Sequence, residues 1–299
     1  MCRMLGKPSA VSAADALGPN QRPLFPSIVM MTSDEEYVLK QTVGALLNRL
    51  DLVADGRLFQ GRFSDSPAIS EIARAVRDAR LTYLSERKFA AIESALNRIS
   101  ASRVPGCFVE CGIALGGSGI VVAALMPAGR EFHGYDVFGM IPPPTSPKDD
   151  EQSRARYETI RTGQSRGIGA DPYYGYVDNL YDLVVENFAR FGQPVDGRRV
   201  TLHKGFFEET LYPASPVAFA HIDCDWYDPV KLCLERIVPW LAEGAHVVLD
   251  DYNDYGGCRR AVDEFLVANA GLDIIARAPN LVFRRRAGRS RHVGPGGGR

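Results

Sequence analysis

Short apolar segments alternate with helical patterns along the chain after residue 106, and this alternation limits the fold more than any other feature. The apolar segments are rich in β-branched and aromatic residues, and the segments between them carry apolar residues at helical spacing. Strands that alternate with helices form a parallel sheet with helices on both faces. The predicted strands are 107–113, 132–138, 199–205, 218–225, 246–251 and 281–285, and the predicted helices between them are 116–126, 178–191, 229–242 and 257–269.

The remaining segments differ in composition. Helical spacing recurs before residue 100, over 33–53, 67–79 and 84–99. A long polar segment interrupts the α/β pattern, and loops of that length in compact domains are usually functional. The predicted organisation is a flexible N-terminal arm over 1–31, a helical N-terminal region over 32–100, an α/β domain over 101–285 with a lid or acceptor loop over 141–177, and a disordered basic tail over 286–299.

Charge and cysteine content exclude several classes of protein. The formal net charge is −1, but residues 284–299 carry six Arg and no acid, so the body is acidic. An acidic body argues against nucleic-acid binding, which needs clustered basic residues. The six cysteines form no paired motif, and no apolar signal core opens the chain, which together predict reduced thiols and a cytoplasmic location. The uncharged stretch 111–129 contains too many glycines for a membrane helix.

A glycine-rich turn follows the first predicted strand. The strand ends in Glu110, and a turn at Gly112 leads into a helix that opens with Gly116, Gly117 and Ser118. Ligands of doubly wound sheets bind beyond the carboxyl ends of the strands, and glycine lets the backbone approach a ligand closely. The spacing differs from the dinucleotide fingerprint. An acid before the turn favours a ligand with an ammonium group over a pyrophosphate, and a tight turn without a ligand is the alternative.

Two further strand ends carry residues that could bind a nucleoside. Asp136 ends the second strand, where an acid can accept hydrogen bonds from ribose hydroxyls; a role in a turn is the alternative. Gly205 ends the third strand, and Phe206 or Phe207 after it could stack on a purine. A pair of core aromatic side chains is the alternative for these two.

Carboxylates follow two neighbouring predicted strands. Asp223 and Asp225 end one strand, and Asp250 and Asp251 end the next. Unpaired carboxylates that converge at one edge of a sheet raise each other's pKa, and a divalent cation removes that cost. Hard oxygen ligands suit Mg²⁺ or Mn²⁺ rather than zinc. The alternative for such acids is helix N-capping, which does not account for four of them on two strands.

The other polar residues near these strands give weaker signals. Asp228, just before a proline, is predicted to be the N-cap of the following helix. His221 faces the same side of its strand as Asp223 and could orient a carboxylate. Cys224 lies between two acids, which disfavours a nucleophilic role. The chain has neither a nucleophile elbow nor a P-loop, which argues against serine hydrolases and NTPases.

In order and spacing, these motifs resemble the macrocin O-methyltransferase (TylF-like) family of class I S-adenosylmethionine-dependent methyltransferases. The resemblance implies a Rossmann-like, seven-stranded, mostly parallel sheet with helices on both faces, after the helical N-terminal region. It also implies transfer of a methyl group to a hydroxyl of a sugar or natural-product acceptor, with a divalent cation. It runs from about Thr82 to Phe283 and rests on VPGCFVECGIALGGS, YDVFGMIPPP, KGFFEETL, HIDCDWYDP and VVLDDYNDYGGCRRAVDEF.

The resemblance also assigns roles to residues of this chain. It implies that the glycine turn holds the methionine part of S-adenosylmethionine, with Glu110 near the amino group. It implies that Asp136 binds the ribose, that Phe206 after Gly205 forms the adenine wall, and that Tyr83 lies against the cofactor. The metal ligands that it implies for Mg²⁺ (or Mn²⁺) are Asp223, Asp250 and Asp251.

The chain departs from related enzymes at the position of the general base. Some of them carry Lys or His three residues after the first metal-binding Asp, where this chain has Trp226. The expected reaction is in-line methyl transfer, with the catalytic base open between Asp223 and Asp225. The acceptor is open between a sugar or natural-product hydroxyl and an aromatic diol. Three lid tyrosines could stack on either kind of ring, namely Tyr173, Tyr174 and Tyr176.

Two other kinds of function remain open at this stage. One is a cofactor-binding module without transferase activity, against which the convergent acids argue. The other is an enzyme of different, hydroxylase-like chemistry on the same fold. The expected partner is a small-molecule acceptor, with no nucleic acid and no membrane, and the chain is expected to form a homodimer or a higher homo-oligomer.

Overall fold

A computed structural model of the chain describes residues 68–287, which belong to one compact unit spanning residues 61–299. The predicted arm, the predicted helix over 33–53 and most of the basic tail lie outside the described residues.

A seven-stranded sheet organises the described residues, and the prediction of an α/β fold with a mostly parallel sheet is confirmed. Its strand order is β3-β2-β1-β4-β5-β7-β6. The first five strands of the chain run parallel, and β7 is antiparallel to both β5 and β6. The strands are β1 (Cys107–Cys111), β2 (Phe132–Asp136), β3 (Val200–Lys204), β4 (Val217–Ile222), β5 (Leu241–Leu249), β6 (Leu272–Ala276) and β7 (Leu281–Arg285).

The α-helices connect the strands and precede the sheet. The helices are α1 (Glu71–Asp78), α2 (Glu86–Ala101), α3 (Gly117–Leu125), α4 (Glu151–Arg161), α5 (Leu180–Arg190), α6 (Phe207–Thr210), α7 (Tyr227–Ile237) and α8 (Gly256–Ala268). Single 3₁₀ turns lie at Tyr174–Tyr176, Val238–Trp240 and Asp251–Asn253. Within residues 68–287 no helix combines the length and apolar character that a membrane crossing needs.

The central strands are apolar because helices cover both faces of the sheet. Every residue of β1 and of β4 is buried, as expected for parallel strands inside an α/β domain. The strand β6, which the sequence pattern does not predict, lies at the sheet edge with no residue fully buried. Such an edge strand needs no continuous apolar run, so its sequence gives a weak signal.

The predicted lid is not a loop throughout, because it contains the helix α4. Only Ser153 and Ile160 of this helix are buried, so its sequence shows no apolar stripe. It begins after Asp150, whose carboxylate accepts a hydrogen bond from the Ser153 N–H at 2.8 Å.

The lid segment also caps helices of the main domain. The Asp149 carboxylate accepts a hydrogen bond from the Tyr227 N–H at 2.8 Å, at the first residue of α7. The prediction that Asp228 is the N-cap of this helix is wrong, because α7 begins at Tyr227 and Asp228 is its second residue. The side chain of Asp228 instead accepts a hydrogen bond from the Thr145 hydroxyl.

Candidate functional site

A cavity of about 670 Å³ lies at the carboxyl ends of the parallel strands, a volume typical of small-molecule sites. Most of the predicted site residues line it, although they come from six separate segments. Those that line it are Tyr83, Gly112, Gly117, Ser118, Asp136, Phe206, Asp223, Asp225, Asp250 and Asp251. Glu110, Gly116 and Gly205 are not among its lining residues.

The turn after β1 requires glycine for steric reasons. Gly112 has φ +91°, and a Cβ there would lie 1.8 Å from the carbonyl oxygen of Asp223. Gly117 would place a Cβ 2.4 Å from the carbonyl oxygen of Leu81, to which its own N–H donates a hydrogen bond. These glycines bring three chain segments together, so the turn has a packing role as well as a place in the cavity wall.

Asp136 is anchored by the turn that it faces. One carboxylate oxygen accepts hydrogen bonds from the N–H groups of Ile113 and Ala114, and the other accepts one from Phe138 at 2.6 Å. Burial raises the pKa of Asp136 although these three bonds oppose the shift. The oxygen that accepts from Phe138 keeps acceptor capacity for a further donor, so the carboxylate can still bind a ligand hydroxyl.

Two aromatic side chains line the cavity with much of their surface exposed. Tyr83 is 50% exposed and Phe206 is 51% exposed. Tyr83 meets the ring of Tyr174 edge-on, with 6.2 Å between the centroids. A ligand with a flat ring could stack on either side chain and cover its exposed surface.

The four predicted acids meet in the cavity, but they divide into two overlapping groups. Carboxylate oxygens of Asp223, Asp225 and Asp251 lie within 4.8 Å of one another, and the second group joins Asp250 and Asp251 to Asp254. The set implied by the resemblance, which contains Asp250 rather than Asp225 beside the other two, is not one of these groups.

Asp250 is already engaged by the chain itself. One of its carboxylate oxygens accepts a hydrogen bond from Lys88 Nζ at 2.6 Å, and the other accepts one from Asn280 Nδ2 at 2.7 Å. The Lys88 ammonium group also contacts Asp254 at 2.7 Å. Both oxygens of the buried Asp250 therefore have protein partners. The Lys88 ammonium group forms its ion pairs with Asp250 and Asp254, and not with Asp223, Asp225 or Asp251.

The charged forms of the other three carboxylates are destabilised by burial and by neighbouring carboxylates. Desolvation and the charge of Asp250 raise the pKa of Asp223 well above its usual range, and the same two causes raise that of Asp225 to about 6. Desolvation and the charges of Asp225 and Asp223 raise the pKa of Asp251 well above its usual range. A cluster of this kind fits a hard divalent cation, whose charge would remove the repulsion.

Glu110 points away from the cavity and into the protein. It is fully buried, and its Oε1 lies 2.7 Å from His221 Nδ1. The other ring nitrogen of His221 lies 3.8 Å from Asp250 Oδ1, a distance for charge attraction rather than a hydrogen bond. Burial lowers the pKa of His221, but the carboxylates of Asp250 and Glu110 outweigh it and raise the pKa to about 10.

The segment after β4 is held in an unusual conformation. Asp225 has φ +57°, in the left-handed region that an Asp tolerates better than most residues. Its N–H donates a hydrogen bond to the Asp251 carboxylate at 3.0 Å. The next residue, Trp226, is buried, and its indole N–H donates to the Pro142 carbonyl oxygen. This hydrogen bond holds the lid segment against α7. The indole of Trp226 carries no proton-accepting group.

Among the cavity residues that sequence reasoning missed are Lys88, Arg156 and Tyr255. Lys88 lies on a helix before the α/β domain, and Arg156 lies on the unpredicted helix α4. No local motif marks either residue, because each reaches the cavity only through the packing of distant segments. The position of Tyr255, just after the second pair of acids, is the one signal that could have pointed to it.

Comparison with protein families and curated proteins points to one group. A family model described as Macrocin-O-methyltransferase (TylF) matches residues 70–274. A Streptomyces olivaceus protein named 8-demethyl-8-(2,3-dimethoxy-alpha-L-rhamnosyl)-tetracenomycin-C 4'-O-methyltransferase is 30% identical over 181 residues, 58% of this chain and 63% of that protein. Demethyldecarbamoylnovobiocin O-methyltransferase from Streptomyces niveus is 25% identical over 191 residues, 62% of this chain and 67% of that protein. The matches thus span about two thirds of each relative's length.

A solved structure shares the fold. The O-methyltransferase NovP superposes with a TM-score of 0.57 at 22% sequence identity, over 69% of this chain and 81% of that chain. This likeness supports the α/β architecture of the described residues.

Proposed function

The chain belongs to the macrocin-O-methyltransferase (TylF) family, and we propose that it is an S-adenosylmethionine-dependent O-methyltransferase of a sugar or natural-product hydroxyl. The observation that carries this proposal is a single cavity in which the glycine turn, Asp136 and two exposed aromatic rings lie together with a cluster of carboxylates. Both curated relatives carry names of O-methyltransferases that act on natural products, the first on a rhamnosylated one.

The cofactor is proposed to lie along the strand ends from β1 to β3. Ser118, in the first turn of α3, offers its backbone N–H group and the positive end of the helix dipole to the methionine carboxylate, while the Gly117 N–H already donates to the Leu81 carbonyl oxygen. Asp136 accepts hydrogen bonds from the ribose hydroxyls, and Phe206 packs against the adenine ring. Tyr83, which precedes α2 in the chain, covers the cofactor. The methyl group comes from the sulfonium of this cofactor.

Glu110 has a different role from the one that the resemblance implies. Its carboxylate pairs with His221 and does not line the cavity. We therefore propose that Glu110 supports the glycine turn from the protein interior. Gly116 and Gly205 also do not line the cavity. We propose that they shape the backbone beside it, because each has a positive φ.

We propose that Asp223 and Asp251 hold a divalent cation, Mg²⁺ or Mn²⁺. Two carboxylates, completed by water and substrate, are a usual protein contribution to a magnesium site. Asp250 is left out of this set because the Lys88 ammonium group already balances its charge, so a second cation would relieve less repulsion there than at Asp223 and Asp251. When bound, such a cation polarises the acceptor hydroxyl and lowers its pKa.

The chain's own part in the reaction is to position the reactants and to move one proton. Asp225 is proposed to accept the proton of the acceptor hydroxyl, because it lines the cavity beside Asp223 and Asp251 and is not one of the two proposed cation ligands. The left-handed backbone at Asp225 and its hydrogen bond to Asp251 fix where that carboxylate points. The oxygen then attacks the methyl carbon in line with the leaving sulfur.

Titration calorimetry tests the proposal directly. S-adenosylmethionine should bind the protein at micromolar affinity, with Mg²⁺ adding little, and Mn²⁺ should bind in a separate titration. Asp223→Asn should weaken Mn²⁺ at least tenfold and leave the cofactor affinity unchanged. Asp228→Asn, which alters an exposed acid of the same cavity, is the matched control and should change neither. A folded protein that binds no cofactor would contradict the proposed function.

A cytoplasmic location and a homodimer or higher homo-oligomer stay predictions from the sequence.

A further inference from the structure

The lid helix α4 carries three arginines with different environments. Arg154 donates hydrogen bonds to the carbonyl oxygens of Asp149 at 2.6 Å and Ser146 at 3.1 Å. Arg161 pairs with the Glu158 carboxylate at 2.7 Å on the outer surface. Arg156 alone of the three lines the cavity. Two of these guanidinium groups therefore have a structural partner, and the third faces the space where a ligand would bind.

Arg156 has few protein partners for a half-buried cation. Its guanidinium lies over the ring of Tyr173, 5.6 Å from the centroid, and it hydrogen-bonds the side chain of Tyr255. Among residues 68–287 no carboxylate lies close enough to it for an ion pair, although a guanidinium has five N–H donors. The other cation that lines the cavity, Lys88, is engaged by two carboxylates.

The position of Arg156 is on the acceptor side of the proposed site. Arg156 lines the same cavity as Asp225 and Tyr83. If Asp225 accepts the proton of the acceptor hydroxyl, as proposed above, the acceptor must lie between this carboxylate and the lid. The free donors of Arg156 then face the acceptor.

We propose that Arg156 binds an anionic oxygen group of the acceptor, either a carboxylate or a phosphate, and so selects acceptors that carry one. This inference rests on the proposed function. A guanidinium offers paired, planar N–H donors that match the two oxygens of such a group. Carboxylates make up most of the other charged lining of the cavity and would repel an anion, so Arg156 is the position at which an anionic group is favoured. One such contact fixes the orientation of the acceptor ring.

The test is calorimetric titration of three probes into the protein loaded with S-adenosylhomocysteine and Mg²⁺. The probes are thymidine diphosphate rhamnose, methyl glucuronide and neutral methyl rhamnoside, which separate a diphosphate from a carboxylate and both from an uncharged sugar. At least one anionic probe should bind more tightly than the neutral one. Arg156→Gln should weaken that probe about 10- to 100-fold, the usual range for a lost hydrogen-bonded ion pair.

Two further variants separate charge recognition from structural damage. Arg161→Gln removes the same charge from the same helix outside the cavity and should leave all affinities unchanged. Arg156→Lys keeps the charge but loses the paired donors, so it should retain part of the affinity. S-adenosylhomocysteine should bind every variant equally.

Three results would overturn the inference while the proposed function stands. They are a neutral probe that binds as well as the anionic ones, an anionic probe that Arg156→Gln does not weaken, and no probe binding while S-adenosylhomocysteine binds normally. If wild-type protein fails to bind S-adenosylhomocysteine, the proposed function fails first, and the acceptor site fails with it.

Discussion

Replacing Lys88 by methionine should destabilise the protein through the carboxylate that it leaves behind. The Lys88 side chain is 18% exposed, and its ammonium lies 2.6 Å from Asp250, whose side chain is 5% exposed. Methionine keeps the length of the side chain and removes the charge. Asp250 then keeps the Asn280 amide and the more distant His221, but it loses its nearest cation.

The magnitude follows from the burial of the two contacts. Removing one partner of a buried ion pair costs about 3–5 kcal/mol, and the partners that Asp250 keeps reduce this to about 2–3 kcal/mol. The second contact, to Asp254, adds little, because that side chain is 49% exposed and solvent screens it. We therefore expect a loss of about 2–3 kcal/mol in the free energy of unfolding.

The effect should hold across a wide pH range. Burial opposes the Lys88 ammonium, but the charges of Asp250 and Asp254 outweigh it and raise its pKa above the usual 10.5. Burial likewise opposes the Asp250 carboxylate, but His221 and Lys88 outweigh it and lower its pKa below 3.8. The stabilisation is thus present between these values. It is lost as pH rises through the folded-state pKa of Lys88 or falls through that of Asp250.

Urea unfolding at neutral pH, followed by tryptophan fluorescence, measures the change. The control is Lys231→Met, which breaks an exposed pair with Glu235 at 3.7 Å and should cost at most about 0.5 kcal/mol. Adding Asp250→Asn to Lys88→Met should restore part of the stability, because it removes the uncompensated charge. The reasoning is refuted if Lys88→Met is as stable as the control, or if the double variant is no more stable than the single one.

Three further changes have expected outcomes. Gly112→Ala should cost more than about 3 kcal/mol, because it adds a left-handed alanine and a Cβ 1.8 Å from the Asp223 oxygen; a thermal melt within a few degrees of wild type would contradict this. His221→Gln should lose most stability below pH 6.5, and the loss should shrink as pH rises through the folded-state pKa of about 10, as urea titrations across that range would show. Asp149→Ala should cost about 1–2 kcal/mol in urea unfolding by removing the cap on Tyr227, and an unchanged midpoint would argue that solvent replaces the cap.

The sequence predicted well those parts of the fold whose signal is local. Six strands and four helices of the α/β domain follow from apolar runs and periodicity, because each buries a continuous face. Elements with little buried surface were missed, namely β6 at the sheet edge, α4 in the lid and the short helix α6. The capping of α7 was also missed, because Asp149 lies 78 positions from the N–H that it binds.

For the site, the sequence determined which chemical groups end the strands, since the glycine turn and the acids follow directly from the strand pattern. Tertiary structure decided which of these groups meet. Glu110 turns toward His221, Lys88 occupies Asp250, and Arg156 enters the cavity from a polar helix. The local sequence determines which side chains stand at each strand end. Pairing of charges depends on side-chain directions and on packing between segments far apart in the chain, which no local pattern encodes.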